Sequence, residues 1–575
     1  MKSERLLTAA CLAALVATIT ACGGDGGAGT EPTASITVQP PDGVPANANP
    51  LPLPEFGKAY NNPQPRANIR DGGTLRLDLG EIGPNFNGFS VDGGTAYVRS
   101  IMTWLGPQLW NYSVTGVASP NPDYLLSAEL ISEDPETVLF TMNPEARWND
   151  GTPIDWTAFD TTWRTQSGND PRYNPQATDG YRSIGNVERG GAPNEVIVTF
   201  KEPFYPFEYL FAELEHPRNI DPDFYKTGWV NDLHPELLAG PFTVESLTET
   251  RLELRRNPNW WGEPAKLERV IFLEMEDQAS INAFQNGEID AVSVYSADRR
   301  RQIQNMTDVQ IRRGFALFTA VFTMGQDSAF FSDPSARRAF VLGTNRELLT
   351  EIRYQGMDWQ EDPPGSVLVY PWQDGYQDNL EDLHFDPEAA MRTLDEAGWT
   401  MGADGIRYKD GRPAQFRFVT FGDDPLSAAL ARAQQRMAQD IGIRMDIDNR
   451  KGADFSKTIT SGDFDVVFMG WSATDPFGYV NACQLFCSDS ESNFSRLGSP
   501  EIDVLLRRPG TIADRQQAIA AANIAEREAL QLIGTFPLFN GPSDVAVKKG
   551  LANFGPAGFA NSDRKNVGWQ IGAGN

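Results

Sequence analysis

Histidine is nearly missing from this chain. Its 575 residues hold three, His216, His234 and His384, scattered with no second ligand at metal spacing. Zinc sites and histidine-based acid–base catalysis therefore both lack parts. Cysteine is almost as scarce, with four residues in all. Positive charge is also short: 49 Lys and Arg face 77 Asp and Glu, a formal net charge of −28. Phosphate binding needs clustered Lys and Arg, so this balance argues against a nucleic-acid or anionic-membrane-surface partner. No repeat of solenoid length is found.

What is present begins at the N-terminus. Lys2 and Arg5 precede an apolar run from Leu6 to Ile19, too short to span a bilayer as a mature helix, and residues 1–21 read as a signal peptide. The segment ends Ile19-Thr20-Ala21-Cys22, which resembles a bacterial lipobox. Cys22 is thus the expected lipid anchor, holding the exported chain at the outer face of the cytoplasmic membrane through two or more acyl chains. Residues 22–70, rich in Gly, Pro, Ala and Asn without periodicity, are expected to form a tether. Gly24 to Gly29 matches G-x-G-x-x-G in form, but neither a strand before it nor an amphipathic helix after it supports a nucleotide loop. Cys483 and Cys487 lie close together in an exported chain and are expected to be bridged.

The remaining ~500 residues exceed what one hydrophobic core usually serves, so at least two lobes are expected. Thr74 to Leu79 alternates apolar and polar residues as a half-buried strand does. Strands are also read at 138–142, 195–200, 242–244, 251–255, 270–274, 444–448 and 464–469. Helices are read at 279–285, 335–342, 347–354, 387–397 and 425–441, with a further one beginning near Trp156 behind the cap Asp155. The class is α/β.

Five segments together resemble the extracellular solute-binding protein family 5, and the likeness runs from about Gly72 to the C-terminus, nearest to actinobacterial oligopeptide-binding lipoproteins. They are Trp148-Asn149-Asp150-Gly151-Thr152-Pro153, Arg256-Asn257-Pro258-Asn259-Trp260-Trp261-Gly262, Phe284-Gln285-Asn286-Gly287-Glu288-Ile289-Asp290, Asp333-Pro334-Ser335-Ala336-Arg337-Arg338-Ala339 and Ala397-Gly398-Trp399. Each has a structural task first: turns at Gly151 and Pro153, a helix stop at Gly287, buried area at Trp260 and Trp261. One departure stands out. Where the family often has an acid three residues after the capping position, this chain has Ala158, and half of a capping box is lost at about 0.5 kcal/mol.

The resemblance implies a two-lobed periplasmic-binding-protein fold of type II with an extra subdomain and a discontinuous first lobe. The expected division is 71–110 with 238–313 and 533–575 for the first lobe, 111–237 for the subdomain and 314–532 for the second lobe. It also implies a monomer without catalysis, cofactor or metal that hands a peptide to the permease and ATPase of an ABC importer. Rival readings are the same fold holding a glycolipid, a saccharide or a chelated metal, or a cell-envelope regulator that feeds no transporter.

The first candidate for the site is Gly470-Trp471-Ser472-Ala473-Thr474-Asp475-Pro476, at the end of a strand, where open α/β sheets place ligands. In peptide binders of the family an Asp just after a Gly-Trp pair meets the peptide's ammonium. Asp475 is its counterpart, one residue further along, and the alternative is that it merely opens the Asp-Pro turn. Trp471, Ser472 and Thr474 go with it. The second candidate is the loop holding Asn85, Phe86 and Asn87, which resembles the family's first-lobe loop facing the cleft. The third is Phe318 to Met324, with Phe318 and Phe322 as contacts, although period-two apolar residues of this kind are more often core. Gly470 to Thr474 is a near miss for G-x-S-x-G, but no histidine follows His384, so a triad in hydrolase order cannot be completed.

Overall fold

The computed structural model describes residues 40–45, 47–473, 475–560 and 563–572. The signal segment, Cys22 and Thr474 lie outside the described residues. Among the described residues, four sheets carry the architecture.

The first lobe is built on a sheet with the order Thr74–Leu79, Arg269–Glu274, Arg251–Arg256, Phe242–Thr248. Its first two strands are parallel and the others antiparallel. Thr74–Leu79 forms with the bounds its alternation predicts. Asp277–Asn286 follows the sheet and stops at Gly287, whose φ of 75° is the left-handed value that a residue with a side chain resists. The subdomain is an antiparallel sheet in the order Leu125–Glu133, Glu136–Met142, Glu195–Phe200, Ile184–Arg189, packed by helix Trp156–Gln166. Asp155 caps that helix by accepting the Thr157 N–H at 3.0 Å. Ala158 is fully buried, which explains the missing acid: a carboxylate there would stand in the core.

The second lobe holds a five-stranded sheet, Arg444–Arg450, Gln415–Phe421, Val466–Ser472, Phe318–Met324, Thr535–Phe539. Its first three strands are mutually parallel, and Phe318–Met324 runs against both its neighbours. Helices Pro334–Leu342, Arg346–Tyr354, Pro387–Glu396 and Pro425–Asp440 lie close to the sequence reading. Strand Val466–Ser472 begins two residues later than expected and runs on through Trp471.

The chain passes between the lobes twice, side by side. It leaves after Val309–Phe315 and returns before Pro542–Lys548, two paired strands of a separate small sheet. Because Thr535–Phe539 pairs with Phe318–Met324, the return lies at Asn540–Gly541 and not at 533. Here Glu361 accepts the N–H groups of both Asn540 and Gly541, at 2.8 and 2.9 Å. Gly541 has φ 77°, and a Cβ there would fall 1.9 Å from the Tyr354 hydroxyl, so no larger residue fits this crossing. The buried carboxylate of Asp544 pairs with both Arg300 and Arg313 just beyond it.

The tether expected through residue 70 is shorter. Asn49 donates to Val309 O and accepts from Ile311 N, Leu51 N–H bonds Ile311 O, and Leu51 is buried. From Asn49 onward the chain is therefore part of the folded body. Among the described residues no helix is long and apolar enough to cross a membrane.

The resemblance motifs meet one another in pairs. Asn257 Nδ2 donates to Asn149 Oδ1 at 2.8 Å. Asp333 caps its own helix through Ser335 N and also accepts the Trp399 indole N–H at 3.1 Å. These are scaffold contacts, remote in sequence but joined by hydrogen bonds whose loss would strand buried polar groups.

Candidate functional site

Strand Val466–Ser472 delivers Gly470, Trp471 and Ser472 to its carboxyl end, beside the first residues of Phe318–Met324. The register sets Phe318 opposite Ser472, Thr319 opposite Trp471 and Ala320 opposite Gly470. The Phe318 ring lies across Gly470 so closely that a Cβ there would come within 2.0 Å of it. Gly470 is thus a packing requirement of this strand end. On the other face of the sheet the Trp471 indole stacks on Phe494, centroids 5.7 Å apart and planes 11° from parallel. The Trp471 Nε1 is buried, and no partner accepts its proton among the described residues. Ser472 is exposed.

Beyond the strand, Ala473 N–H bonds Leu317 O at 2.9 Å and approaches the Tyr370 hydroxyl at 3.3 Å. Asp475 is half-buried, and its Oδ1 accepts the Phe477 N–H at 2.8 Å. The turn-opening role is therefore real, and it fixes the carboxylate in place. Pro476 is pressed against Gly116 of the subdomain, where a Cβ would meet it at 2.5 Å. The Phe477 ring packs edge-on to Tyr112 and Tyr209, also from the subdomain. Cys483 and Cys487 form a disulfide one turn further along.

Aromatic rings close this region. Tyr370 stacks on Trp372 at 5.1 Å and 5°, and Trp372 in turn touches Phe559 of the C-terminal segment, Phe315 at the crossing and Phe56 of the N-terminal arm. The Tyr370 loop is set from below by the buried Glu526, which accepts from Ser366 Oγ, Val367 N and Asn379 Nδ2 within 2.7 Å. Burial, with the charge of Asp475 adding to it, holds the Tyr112 phenol far above its ordinary range. Burial, then Asp179 and then Asp475, do the same at Tyr209. These hydroxyls stay neutral at physiological pH, so they offer hydrogen bonds and no charge.

Other expected contacts fall elsewhere. Phe322 is 2 % exposed and packs among Phe340, Phe418 and Phe468, inside the second-lobe core. Period-two patterning put it on the same face as Phe318, but four residues deeper that face is covered by helices. Asn85, Phe86 and Asn87 are buried as well. Phe86 belongs to the first-lobe core and its N–H bonds Trp229 O. Asn87 donates to Tyr225 O at 2.8 Å and accepts from Phe89 N, while Asn85 Oδ1 accepts Asn87 N. These polar groups of the loop are bonded within the loop and to Tyr225 and Trp229 behind it.

Contacts between the lobes flank the site on both sides. Ser492 Oγ donates to Gln176 O at 2.7 Å, and Arg182 pairs with Asp489 at 2.8 Å. At the other end Gly452 N–H bonds Glu276 at 2.9 Å and Gln278 N–H bonds Asp423 at 3.1 Å. Among the described residues one group of metal-donor side chains clusters, Cys487, Asp489 and Asp503. Its sulfur is spent in the disulfide, and Asp503 accepts two hydrogen bonds from Ser488.

Tyr370, Trp372, Tyr112 and Tyr209 were not picked out as site residues by sequence reasoning. Phe494 lies in a stretch that carries the family likeness, Ser492 to Pro500, but nothing local marked it as the stacking partner of Trp471.

A discontinuous two-lobed α/β body joined by two adjacent crossings, with a strand-end loop enclosed between the lobes, defines a solute-binding protein. The model of the bacterial extracellular solute-binding proteins, family 5, matches residues 119–493, and the chain belongs to that family. It is 32 % identical over 516 residues to the oligopeptide-binding protein OppA of Mycobacterium tuberculosis strain H37Rv, covering 88 % of this chain and 86 % of that one. Among solved structures, the oligopeptide-binding protein AppA from Bacillus subtilis in complex with a nonapeptide superposes with a TM-score of 0.75 at 18 % identity, over 88 % of this chain and 100 % of AppA. A periplasmic EDTA-binding protein, EppA, gives a TM-score of 0.76 at 24 % identity, over 90 % and 100 %. Both share the fold. Members of the family are substrate-binding proteins rather than enzymes.

Proposed function

We propose that this chain captures oligopeptides outside the cell, between its two lobes, and delivers them to the permease and ATPase of an ABC importer. The observation that carries the reading is one loop that offers both polar ends of a peptide unit something to bind. Asp475 supplies a carboxylate held in orientation by its turn, and Trp471 supplies a buried indole N–H without an acceptor among the described residues. A peptide's ammonium suits the first, since a charge-assisted hydrogen bond is roughly twice as strong as a neutral one. A peptide carbonyl suits the second, because a buried donor left unmet costs about 1–3 kcal/mol. The mycobacterial relative's name supports the same class of ligand.

The test compares a pentapeptide bearing a free amino terminus with its N-acetylated form by calorimetry. Wild type should bind the free form more tightly, and Asp475→Asn should shrink that difference by about 2–5 kcal/mol, the range for breaking a desolvated charge pair. Equal binding of both forms by wild type would remove Asp475 as the anchor. Failure of every peptide in a library to bind would replace the peptide by a glycolipid, a saccharide or a chelated metal.

The same proposal includes export and anchoring through a lipid on Cys22, with no catalysis of its own and action as a monomer. Metabolic labelling with a fatty-acid analogue tests the anchor: label surviving in Cys22→Ser would contradict it.

A further inference from the structure

At the end of the cleft away from Asp475, the first lobe reaches into the second with a carboxyl group. Glu81 follows strand Thr74–Leu79 and is 3 % exposed. Its Oε2 accepts the Ser456 hydroxyl at 2.5 Å. Ser456 sits in the first turn of Phe455–Ser461 in the second lobe, where the preceding Asp454 makes no capping bond. A carboxyl of one lobe thus holds a side-chain hydroxyl in the first helical turn of the other. Beside it Glu276 accepts Gly452 N–H, and the Tyr97 ring of the first lobe meets Phe455 edge-on. Each of these contacts joins the first lobe to the second.

The two charges that weigh most on Glu81 are both negative, while Lys451 and Lys457 flank Asp454 and Ser456 in the chain. Glu274 faces it from strand Arg269–Glu274, where its Oε2 also holds Ile82 N–H, and Asp454 faces it from the second lobe. Tyr97, on the helix Ala96–Leu105, is neutral: burial, then Glu81, Asp277 and Glu276, push its phenol up to about 12. Glu276 and Asp277 stand behind it at the start of Asp277–Asn286. Among the described residues Glu81 has no ion pair with Lys or Arg. An acid shut away from water among other acids is easier to hold protonated than ionised.

We propose that Glu81 is a proton-linked latch: closing the lobes seats its carboxyl on Ser456, and a proton taken up from the medium holds them shut as the medium acidifies. Burial raises the Glu81 carboxyl from 4.5 to about 7 in the closed form, with Glu274 and Asp454 adding and the hydrogen bond with Ser456 opposing. Opening returns it to water and to its ordinary range. The closed form therefore binds the extra proton, so its stabilisation is fully present at low pH and is lost as pH rises through about 7. Ligand would be held tightly in an acidic medium and released more readily in a neutral one. The latch does not depend on what the ligand is.

The test measures peptide affinity at pH 6 and pH 8 for wild type and Glu81→Gln, using a pentapeptide with free termini and no ionisable side chain. Comparing the two proteins cancels the titration of the peptide's own amino group. Linkage through one such group predicts that wild type weakens about tenfold more than Glu81→Gln over this interval. Gln resembles the protonated acid, so the variant should bind more tightly than wild type at pH 8, whereas a merely structural role for Glu81 predicts weaker binding. A second readout needs no ligand and so separates the latch from the peptide reading. Dyes on Glu249→Cys in the first lobe and Asp440→Cys in the second report the distance between lobes by energy transfer. Transfer should fall from pH 6 to pH 8 in the wild-type background and stay level with Glu81→Gln. If the peptide binds neither protein, the peptide reading fails and this second readout decides. An equal pH response in both backgrounds overturns the latch.

Discussion

Two loops of this molecule are alike on paper and opposite in space. Residues 84–89 and 470–477 are both short and rich in Gly, Asn, Ser, Asp and aromatics; the first comes after strand Thr74–Leu79, and the second closes strand Val466–Ser472 and runs on from it. In the first, each side-chain amide is bonded within the lobe: Asn85 to Asn87, Asn87 to Tyr225 and Phe89. In the second, the Asp475 carboxylate accepts the Phe477 N–H, while the Trp471 donor stays unmet among the described residues and Ser472 stays exposed. The difference teaches that composition marks a loop as able to bind, and the fate of its polar groups decides whether it does. A loop whose hydrogen bonds are internally complete is a wall; one with polar groups left over is a site.

The largest break in this comparison is expected at Phe322. Were it a ligand contact, its removal would weaken binding and leave the fold intact. Fully packed among three other phenylalanines, it should instead behave as core, and Phe322→Ala should destabilise the protein by about 3–5 kcal/mol. Denaturant unfolding checks this. A stable variant with weakened binding would restore it to the site.

A smaller effect should separate the loops themselves. Asn87→Ala removes two bonds and leaves Tyr225 O and Phe89 N without that partner in a buried place, which should cost about 3 kcal/mol of stability. The preference for a free over an acetylated peptide should be unchanged in this variant. A lost preference with unaltered stability would make the first loop a site after all.

Much of the scaffold was legible because its signals are local. Alternation in Thr74–Leu79 and Glu195–Phe200, the Asp-Pro start of Pro334–Leu342 and the glycine stop at Gly287 each depend on residues a few positions apart. Strand Leu125–Glu133 was not, since Leu126, Leu130 and Ile131 are exposed and blur any alternation. Helix Arg515–Leu530 was missed too, its Ala-rich stretch giving a weak apolar stripe. The return crossing was misplaced because Phe536 to Phe539 is apolar enough to suit either lobe, and only its pairing with Phe318–Met324 assigns it. In the site, the Gly470–Pro476 segment was readable as a strand end. What could not be read was which polar groups were already spoken for. The partners of Asn87 lie at Tyr225 and those of Ala473 at Tyr370, more than a hundred residues away in each case. A hydrogen bond closed over that span leaves no periodic trace in either segment.

The smallest effect sharpens the comparison most, because it isolates closure from contact. Although the first-lobe loop spends its side chains within its own lobe, its backbone reaches the second lobe indirectly. Phe89 O accepts Gln176 N at 2.8 Å, Gln176 Nε2 holds Gly94 O, and Gln176 O accepts the Ser492 hydroxyl across the cleft. Ser492→Ala deletes that last bond, at the flank of the site opposite Glu81. One neutral hydrogen bond formed on closing is worth about 1 kcal/mol, so affinity should fall about fivefold. The loss should be the same for free and acetylated peptides, since Ser492 stabilises the closed form whatever it encloses. Asp475→Asn should do the reverse, leaving acetylated peptide nearly unaffected and weakening only the free form. Calorimetry on the two variants with the two peptides therefore sorts the loops by role. If Ser492→Ala discriminates between the peptides, the hydroxyl touches ligand, and the first-lobe loop stands closer to the bound peptide than its closed hydrogen-bond account implies.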